Sequence, residues 1–95
     1  MTRADRIRAA LEAAFAPARV HVADDSARHA GHAGARPEGE THYSVLVISP
    51  VFAGQSRVAR SRAVHAALAA EFAGGLHALA LRLLTPEEAE RAAAQ

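Results

Sequence analysis

Histidine is the residue type in this sequence with the greatest capacity for chemistry. The 95 residues include 6 histidines and no cysteine. His29 and His32 lie close together in one polar segment, whereas His42 and His77 each begin a run of strand-forming residues. Neutral imidazole is a common metal ligand in proteins, so these histidines indicate a metal or cluster site. Because cysteine is missing, disulfides, thiol catalysis and cysteine-based metal sites are excluded, and any thiolate has to come from a partner.

The sequence predicts three helices and three strands around these histidines. A capping box at Thr2–Asp5 begins the first helix, which ends before Pro17; a second helix covers 56–72, and Thr85 begins a third. Strands are predicted over 19–23, 42–49 and 76–84 from their alternation and β-branched content. The third strand is apolar on both faces, which is typical of a strand covered on both sides. The polar, glycine-containing segment 24–41 is predicted to be a flexible, functional loop.

The resulting order, αββαβα, predicts a single α+β domain over residues 1–95. The first two strands pair antiparallel across the loop, and the helix between the second and third favours a parallel, right-handed crossover. The product is a three-stranded mixed sheet with helices packed on it. In this topology the loop with His29 and His32 reaches the sheet at the end where His42 and His77 begin their strands. His21 and His65 are not expected to join them.

These histidines form an incomplete metal site by themselves. Histidines without an acidic ligand in a rigid frame make a poor closed zinc site, which suggests that another molecule completes it. The alternative is that histidines gather by chance at loops and strand ends. For His42 a structural role is favoured over ligation, because polar side chains at the ends of elements usually bond to local backbone.

Several short motifs, in order along nearly the whole chain, resemble the BolA family. Asp25-Ser26 followed by His29, and then Gly39-Glu40-Thr41-His42-Tyr43, is similar to that family's D/E-S…H…G-E-T/S-H-F stretch. Arg60-Ser61-Arg62-Ala63-Val64 resembles its R-H-R…V helix start, and His77-Ala78-Leu79-Ala80-Leu81 its H-A-L-x-L strand. The sequence departs from the commonest pattern at Ser61, where histidine is frequent, and at Tyr43, which replaces phenylalanine.

The resemblance implies an αββαβα domain similar to the type II KH fold. It also implies a partner, a monothiol glutaredoxin with a C-G-F-S active site, and a 2Fe-2S cluster shared between the two proteins in iron–sulfur trafficking or iron- and redox-linked regulation. The glutaredoxin and a glutathione would supply thiolates, and this chain would hold no cluster stably alone. His77 is the implied strand-start ligand. His29 is the preferred loop ligand, and His32 is its rival within the His-Ala-Gly-His repeat.

A KH-like transcriptional regulator that binds DNA is the alternative function. Arg57, Arg60 and Arg62 are predicted to face outward on the second helix, where they would contact phosphates. Against this alternative, a KH domain grips nucleic acid with a G-x-x-G loop, and Gly54-Gln55-Ser56-Arg57 lacks the second glycine. No exposed aromatic pair offers a platform for base stacking.

The remaining sequence features limit the classes of protein to which this chain can belong. No triad order, phosphate loop or carboxylate pair stands out, so we expect that the chain is not an enzyme. A net charge of +1 implies no global attraction to nucleic acids or membranes. The lack of a long apolar stretch or a signal-peptide core predicts a cytoplasmic protein without a membrane partner. It is expected to be a monomer or a weak homodimer through the edge of the first strand.

Overall fold

A computed structural model describes residues 1–25 and 42–94 and confirms the predicted αββαβα order. Predicted loop residues 26–41, which include His29 and His32, lie outside the described residues. The predicted second helix is divided at Leu68 into two pieces, so the described residues contain one more short α-helix than expected, and the turn after β2 is a 3-10 helix at Pro50–Phe52. The helices are α1 (Arg3–Ala14), α2 (Arg57–Ala67), α3 (Ala69–Ala73) and α4 (Pro86–Ala93); the strands are β1 (Arg19–Asp24), β2 (His42–Ile48) and β3 (Ala78–Leu84).

The three strands form one mixed sheet in the order β1-β2-β3. β1 pairs antiparallel with β2, with Asp24 opposite Tyr43, and β2 pairs parallel with β3, with His42 opposite Ala78. This is the predicted α+β topology. The C-terminal end of β1 and the N-terminal ends of β2 and β3 therefore meet at one end of the sheet.

The hydrophobic core lies between one face of this sheet and the helices. Alternate residues of a strand point to the same face, so β2 buries Tyr43, Val45 and Val47 while the residues between them remain half-buried. The helices and the turn after β2 cover this face with fully buried side chains: Ile7, Leu11, Phe52, Val64 and Leu68. Burial of this apolar area is the main favourable contribution to folding.

The prediction that β3 is covered on both faces is wrong. Leu79, Leu81 and Leu83 are half-buried against the core, whereas the residues between them, including Ala80 and Arg82, are exposed. The apolar run is an alternation of leucine facing the core and mostly alanine facing outward. Alanine is small enough that its exposure costs little, so its hydropathy alone does not indicate a covered face.

Local hydrogen bonds begin the first and last helices as their sequences predict. The Thr2 side chain accepts a bond from the Asp5 backbone N–H, and the Asp5 carboxylate accepts one from the Thr2 N–H. Thr85 and Glu88 form the same reciprocal pair at the start of α4, which has proline at its first position. These capping boxes satisfy backbone donors that a helix start otherwise leaves unpaired.

Candidate functional site

Two of the predicted site histidines meet at the end of the sheet. The rings of His42 and His77 are stacked, with their centroids 5.5 Å apart and their planes 12° from parallel. His42 is the first residue of β2 and His77 immediately precedes β3, so the parallel pairing of these strands places them side by side. His77 is exposed and His42 is half-buried. The arrangement offers an accessible imidazole that rests against a second ring.

The backbone just before His77 is hydrogen-bonded to α3. The Leu76 side chain is buried in the core, and its backbone N–H donates to the Glu71 carbonyl at 2.9 Å. Gly75, between them, has φ of 115°, a backbone conformation that favours glycine. A buried residue just before His77 thus holds its backbone in place while its imidazole points out of the domain.

Glu71 also ties α3 to α1 through two arginines. Its carboxylate accepts from Arg6 Nε at 2.9 Å and from Arg3 Nε at 3.2 Å. The hydrogen bond from Arg6, together with the charges of both guanidinium groups, holds the pKa of Glu71 below its usual value. This ionic tie stabilises the helix from which the His77 segment departs.

The segment that contains His29 and His32 leaves and rejoins the sheet beside the histidine pair. The Asp25 backbone N–H donates to the His42 carbonyl at 2.8 Å, which extends the β1–β2 ladder past Asp24. The Ser44 hydroxyl donates to the Asp25 carboxylate on the same strand pair. Both ends of the segment are therefore fixed next to His42, although His29 and His32 themselves lie outside the described residues.

Over residues 1–25 and 42–94, no group of three or more His, Cys, Asp or Glu side chains is arranged to hold a metal ion. The His42 and His77 pair brings at most two imidazoles to one point, fewer than the three or four protein ligands of ordinary zinc sites. Further ligands for an ion or cluster at this end of the sheet would have to come from the remaining segment or from another molecule.

The two remaining histidines lie elsewhere, as the topology predicts. His21 is opposite Leu46 on the β1–β2 ladder, far along the strand from His42. His65 lies on α2, where its Nδ1 is 2.9 Å from the Ser61 carbonyl and its ring stacks on Phe72 at 5.2 Å between centroids. Neither belongs to the cluster at the end of the sheet.

The three arginines assigned to the outward face of α2 do not share one environment. Arg57 and Arg62 are exposed, but the prediction that Arg60 faces outward is wrong, since it is only 8% exposed. Its guanidinium group makes a bidentate pair with Glu88, at 2.6 and 3.1 Å, and donates to the Leu83 carbonyl at 2.9 Å. These bonds connect α2 to β3 and α4 and leave little of Arg60 for a phosphate.

The Arg60–Glu88 pair changes the titration of Glu88. The hydrogen bond from Arg60 makes the largest contribution to lowering the pKa of Glu88, and the bond from the Thr85 backbone N–H makes the next largest. Together they lower this pKa to about 2. The lowered pKa favours the ionised carboxylate, which is the form that pairs with Arg60. The pair is a structural link between elements.

Arg82 is a surface residue that reasoning from the sequence missed. It is exposed in the middle of β3, and its side chain reaches the rim of a groove that Arg57 also lines. The signal for it was present, because one arginine interrupts the apolar run Ala78–Leu84. A charge at an outward position of a strand marks the face that water or a partner contacts.

No helix within the described ranges is long and apolar enough to cross a membrane.

Comparison with protein families and known proteins confirms the resemblance. A family model described as BolA-like protein matches residues 11–88. SufE-like protein 1 of Arabidopsis thaliana, a chloroplastic and mitochondrial protein by its name, is 41% identical over 91 residues. That match covers 92% of this chain but only 24% of the relative. BolA-like protein 1 of Mus musculus is 44% identical over 82 residues, which are 86% of this chain and 57% of that protein.

Solved structures share the fold as well as the sequence. The BolA domain of SufE1 from Arabidopsis thaliana has a TM-score of 0.81 at 40% identity, with 93% of this chain and 96% of that chain covered. BolA1 from the same plant has a TM-score of 0.80 at 35% identity, with the same coverage. This chain therefore corresponds to the BolA domain of the Arabidopsis SufE1 protein, and it spans about a quarter of the full length of SufE-like protein 1.

Proposed function

The chain belongs to the BolA family, and from this membership we propose that it is an adaptor that pairs with a monothiol glutaredoxin to share a 2Fe-2S cluster. The glutaredoxin and a glutathione supply thiolates, and this chain supplies imidazole. Its role is to receive, hand over or report on the cluster in the cytoplasm, without catalysing a reaction of its own. A complete cluster site exists only in the complex, because this chain has no cysteine.

The observation that carries the proposal is the exposed His77 imidazole at the end of the sheet, stacked on His42. Imidazole is a suitable donor for such a cluster, since histidines replace cysteines on one iron of Rieske centres. The ring is accessible to a partner, whereas its backbone is anchored by the buried Leu76. His77 is therefore the first proposed ligand.

His29 is the proposed second ligand, with His32 as its rival. Support comes from the chain path, since the segment that carries both residues is joined to the sheet at Asp25 and His42, beside His77. A ligand from this segment and a ligand from the start of β3 would approach the cluster from adjacent anchors. The glutaredoxin would bind the cluster from the side that these two ligands leave open.

Visible circular dichroism tests this function directly. The chain is mixed anaerobically with a monothiol glutaredoxin, glutathione and a reconstituted cluster, and a new spectrum of the heterocomplex is expected. His77→Ala should abolish that spectrum, and His29→Ala and His32→Ala should decide the second ligand. His65→Ala is the matched control, because His65 is exposed but lies on α2, away from the pair. An unchanged glutaredoxin spectrum with the wild-type chain would refute cluster sharing.

The nucleic-acid alternative has less support among the described residues. Arg60 is buried and paired with Glu88, so two of the three proposed arginines on α2 remain available to phosphates. We therefore propose cluster sharing as the function, and DNA binding becomes an outcome to be distinguished by experiment.

A further inference from the structure

β3 is an edge strand whose outer side is partly open. The Leu84 carbonyl accepts from the Ser49 N–H on the β2 side, at 2.9 Å, whereas the Leu83 carbonyl accepts from Arg60 on the opposite side. Backbone groups alternate along a strand, so Leu81 directs its N–H and C=O outward, as Leu83 does. In the part of the chain that the structure describes, β3 pairs with β2 on one side and with no strand on the other, so these two groups of Leu81 take no part in strand pairing.

A groove of about 430 Å³ runs along this open edge. One wall is the edge of β3 from Leu81 to Leu84, and the other is the first turns of α2, with Arg57, Arg60 and Ser61. A free strand edge beside a helix is the geometry in which proteins bind an extended peptide as an additional strand. The main chain of such a peptide would pair with Leu81, and its side chains would meet the arginines.

The charge around the groove indicates what kind of peptide fits. Arg57 and Arg82 line it, both are exposed, and no ion pair joins either to another described residue. The charge of Arg60 is already balanced by Glu88. Arg57 lies in the first turn of α2, which has no acidic residue and where a cation is unfavourable to the helix dipole. Helix stability therefore does not explain Arg57, and the local excess of positive charge favours an acidic ligand.

We infer that this groove binds an extended acidic segment of a partner protein, which pairs with the outer edge of β3 as a fourth strand. A peptide strand offers both a donor and an acceptor to Leu81, whereas a phosphate backbone has no donor for its carbonyl. None of the described residues that line the groove is aromatic, so bases would find no platform for stacking. None of them is a histidine either, and His77 lies four residues before Leu81 along the chain.

Fluorescence anisotropy with a labelled peptide tests the inference on the full chain. The probe is a peptide of about eight residues, near ordinary strand length, with the repeat Val-Val-Glu-Glu, so that glutamate side chains lie on both faces of the added strand and can reach both Arg57 and Arg82. The Arg57→Glu, Arg82→Glu double variant should weaken binding by about tenfold or more. Arg57→Glu alone should weaken it by more than about twofold, whereas Arg62→Glu, the same change of charge on the same helix but outside the groove, should weaken it by less than about twofold. Amide exchange at Leu81 should slow when the peptide binds.

Two further probes separate strand pairing from general attraction. The same peptide with its glutamates replaced by lysine should not bind, and N-methylation at alternate residues should weaken the acidic peptide because it removes the donors for Leu81. Equal losses in the Arg62→Glu and double variants would overturn the inference, as would preferred binding of a single-stranded oligonucleotide of the same charge. If the double variant fails to fold by circular dichroism, Arg57→Ala and Arg82→Ala replace it. No iron, sulfide or glutaredoxin is present, so failure here leaves cluster sharing intact.

Discussion

The imidazole of His77 rests on the ring of His42, 5.5 Å between centroids. This contact gives His42 a role that does not require it to bind iron, namely to hold the exposed His77 ring in one orientation. We expect His42→Phe to keep the stacking surface and most of the heterocomplex spectrum with glutaredoxin. His42→Ala should weaken the complex but not abolish it, whereas His77→Ala should abolish it. Loss of the spectrum in both His42 variants would identify His42 as a ligand.

Protonation provides a second test of histidine ligation. Imidazole has to be neutral to bind a metal, so the shared cluster should be lost progressively as the pH falls from about 8 to about 5.5, the range in which histidine changes charge. Visible circular dichroism of the heterocomplex follows this loss, and the glutaredoxin-only complex, held by thiolates, is the control. Equal pH profiles of the two complexes would count against ligation by histidine.

The buried Arg60 should contribute more to stability than either exposed arginine on α2. Arg60→Ala removes the bidentate pair with Glu88 and leaves the Leu83 carbonyl without its donor, which should cost about 2–3 kcal/mol in the free energy of unfolding. Arg60→Lys should recover only part of this loss, because an ammonium group cannot reproduce the planar bidentate geometry. Arg62→Ala should change stability by less than about 0.5 kcal/mol. Urea denaturation measures all three, and equal effects at the two positions would contradict the assignment.

The lowered pKa of Glu88 predicts how stability depends on acid. Its pKa falls from 4.5 to about 2 on folding, so its contribution to stability is complete above pH 4.5 and is lost as the pH drops toward 2. Glu88→Gln should therefore flatten the decline of the urea midpoint across this range. Part of the slope should remain, since the pKa of Glu71 is lowered as well. Identical acid profiles of the wild type and the variant would show that the pair does not persist in solution.

Ser49 should be important for stability, because it links the end of β2 to the end of α1, at the end of the sheet opposite the His42 and His77 pair. It is fully buried, its hydroxyl donates to the Phe15 carbonyl at 2.7 Å, and its oxygen accepts from the Val51 N–H at 3.1 Å. Ser49→Ala leaves both backbone groups without their partner, at a cost of about 1–2 kcal/mol. Thermal denaturation measures this change, and an unchanged midpoint would show that water replaces the hydroxyl.

The sequence contains enough information to predict this fold because most of its signals are local. Thr85 and Glu88 mark the start of α4 through bonds that span only three residues. Arg60 shows where local reasoning fails. It lies four residues before Val64 and eight before Leu68, on the buried face of α2, but its polarity suggested an outward position. The partner that makes its burial favourable is Glu88, which is distant in sequence, and no helical period predicts that contact.

The candidate site was predictable to the extent that strand pairing determines it. Parallel pairing of β2 with β3 brings His42 and His77 together, and this follows from the order of elements. The stacking of the two rings does not follow, since it depends on side-chain torsions and on the turn at Gly75. The burial of Leu76 likewise becomes visible only once α3 is placed against the core.

The backbone bond between Asp25 and His42 has a consequence for how this protein can change over evolution. It joins the two residues that flank positions 26–41, so the chain leaves the sheet and returns to it at the same place whatever number of residues lies between them. For a flexible loop with joined ends, doubling the length costs only about 0.6 kcal/mol. Under the proposed function, the second ligand could therefore be exchanged, moved or duplicated at little expense to the β1–β2 pairing, while His77 keeps its position at the start of β3.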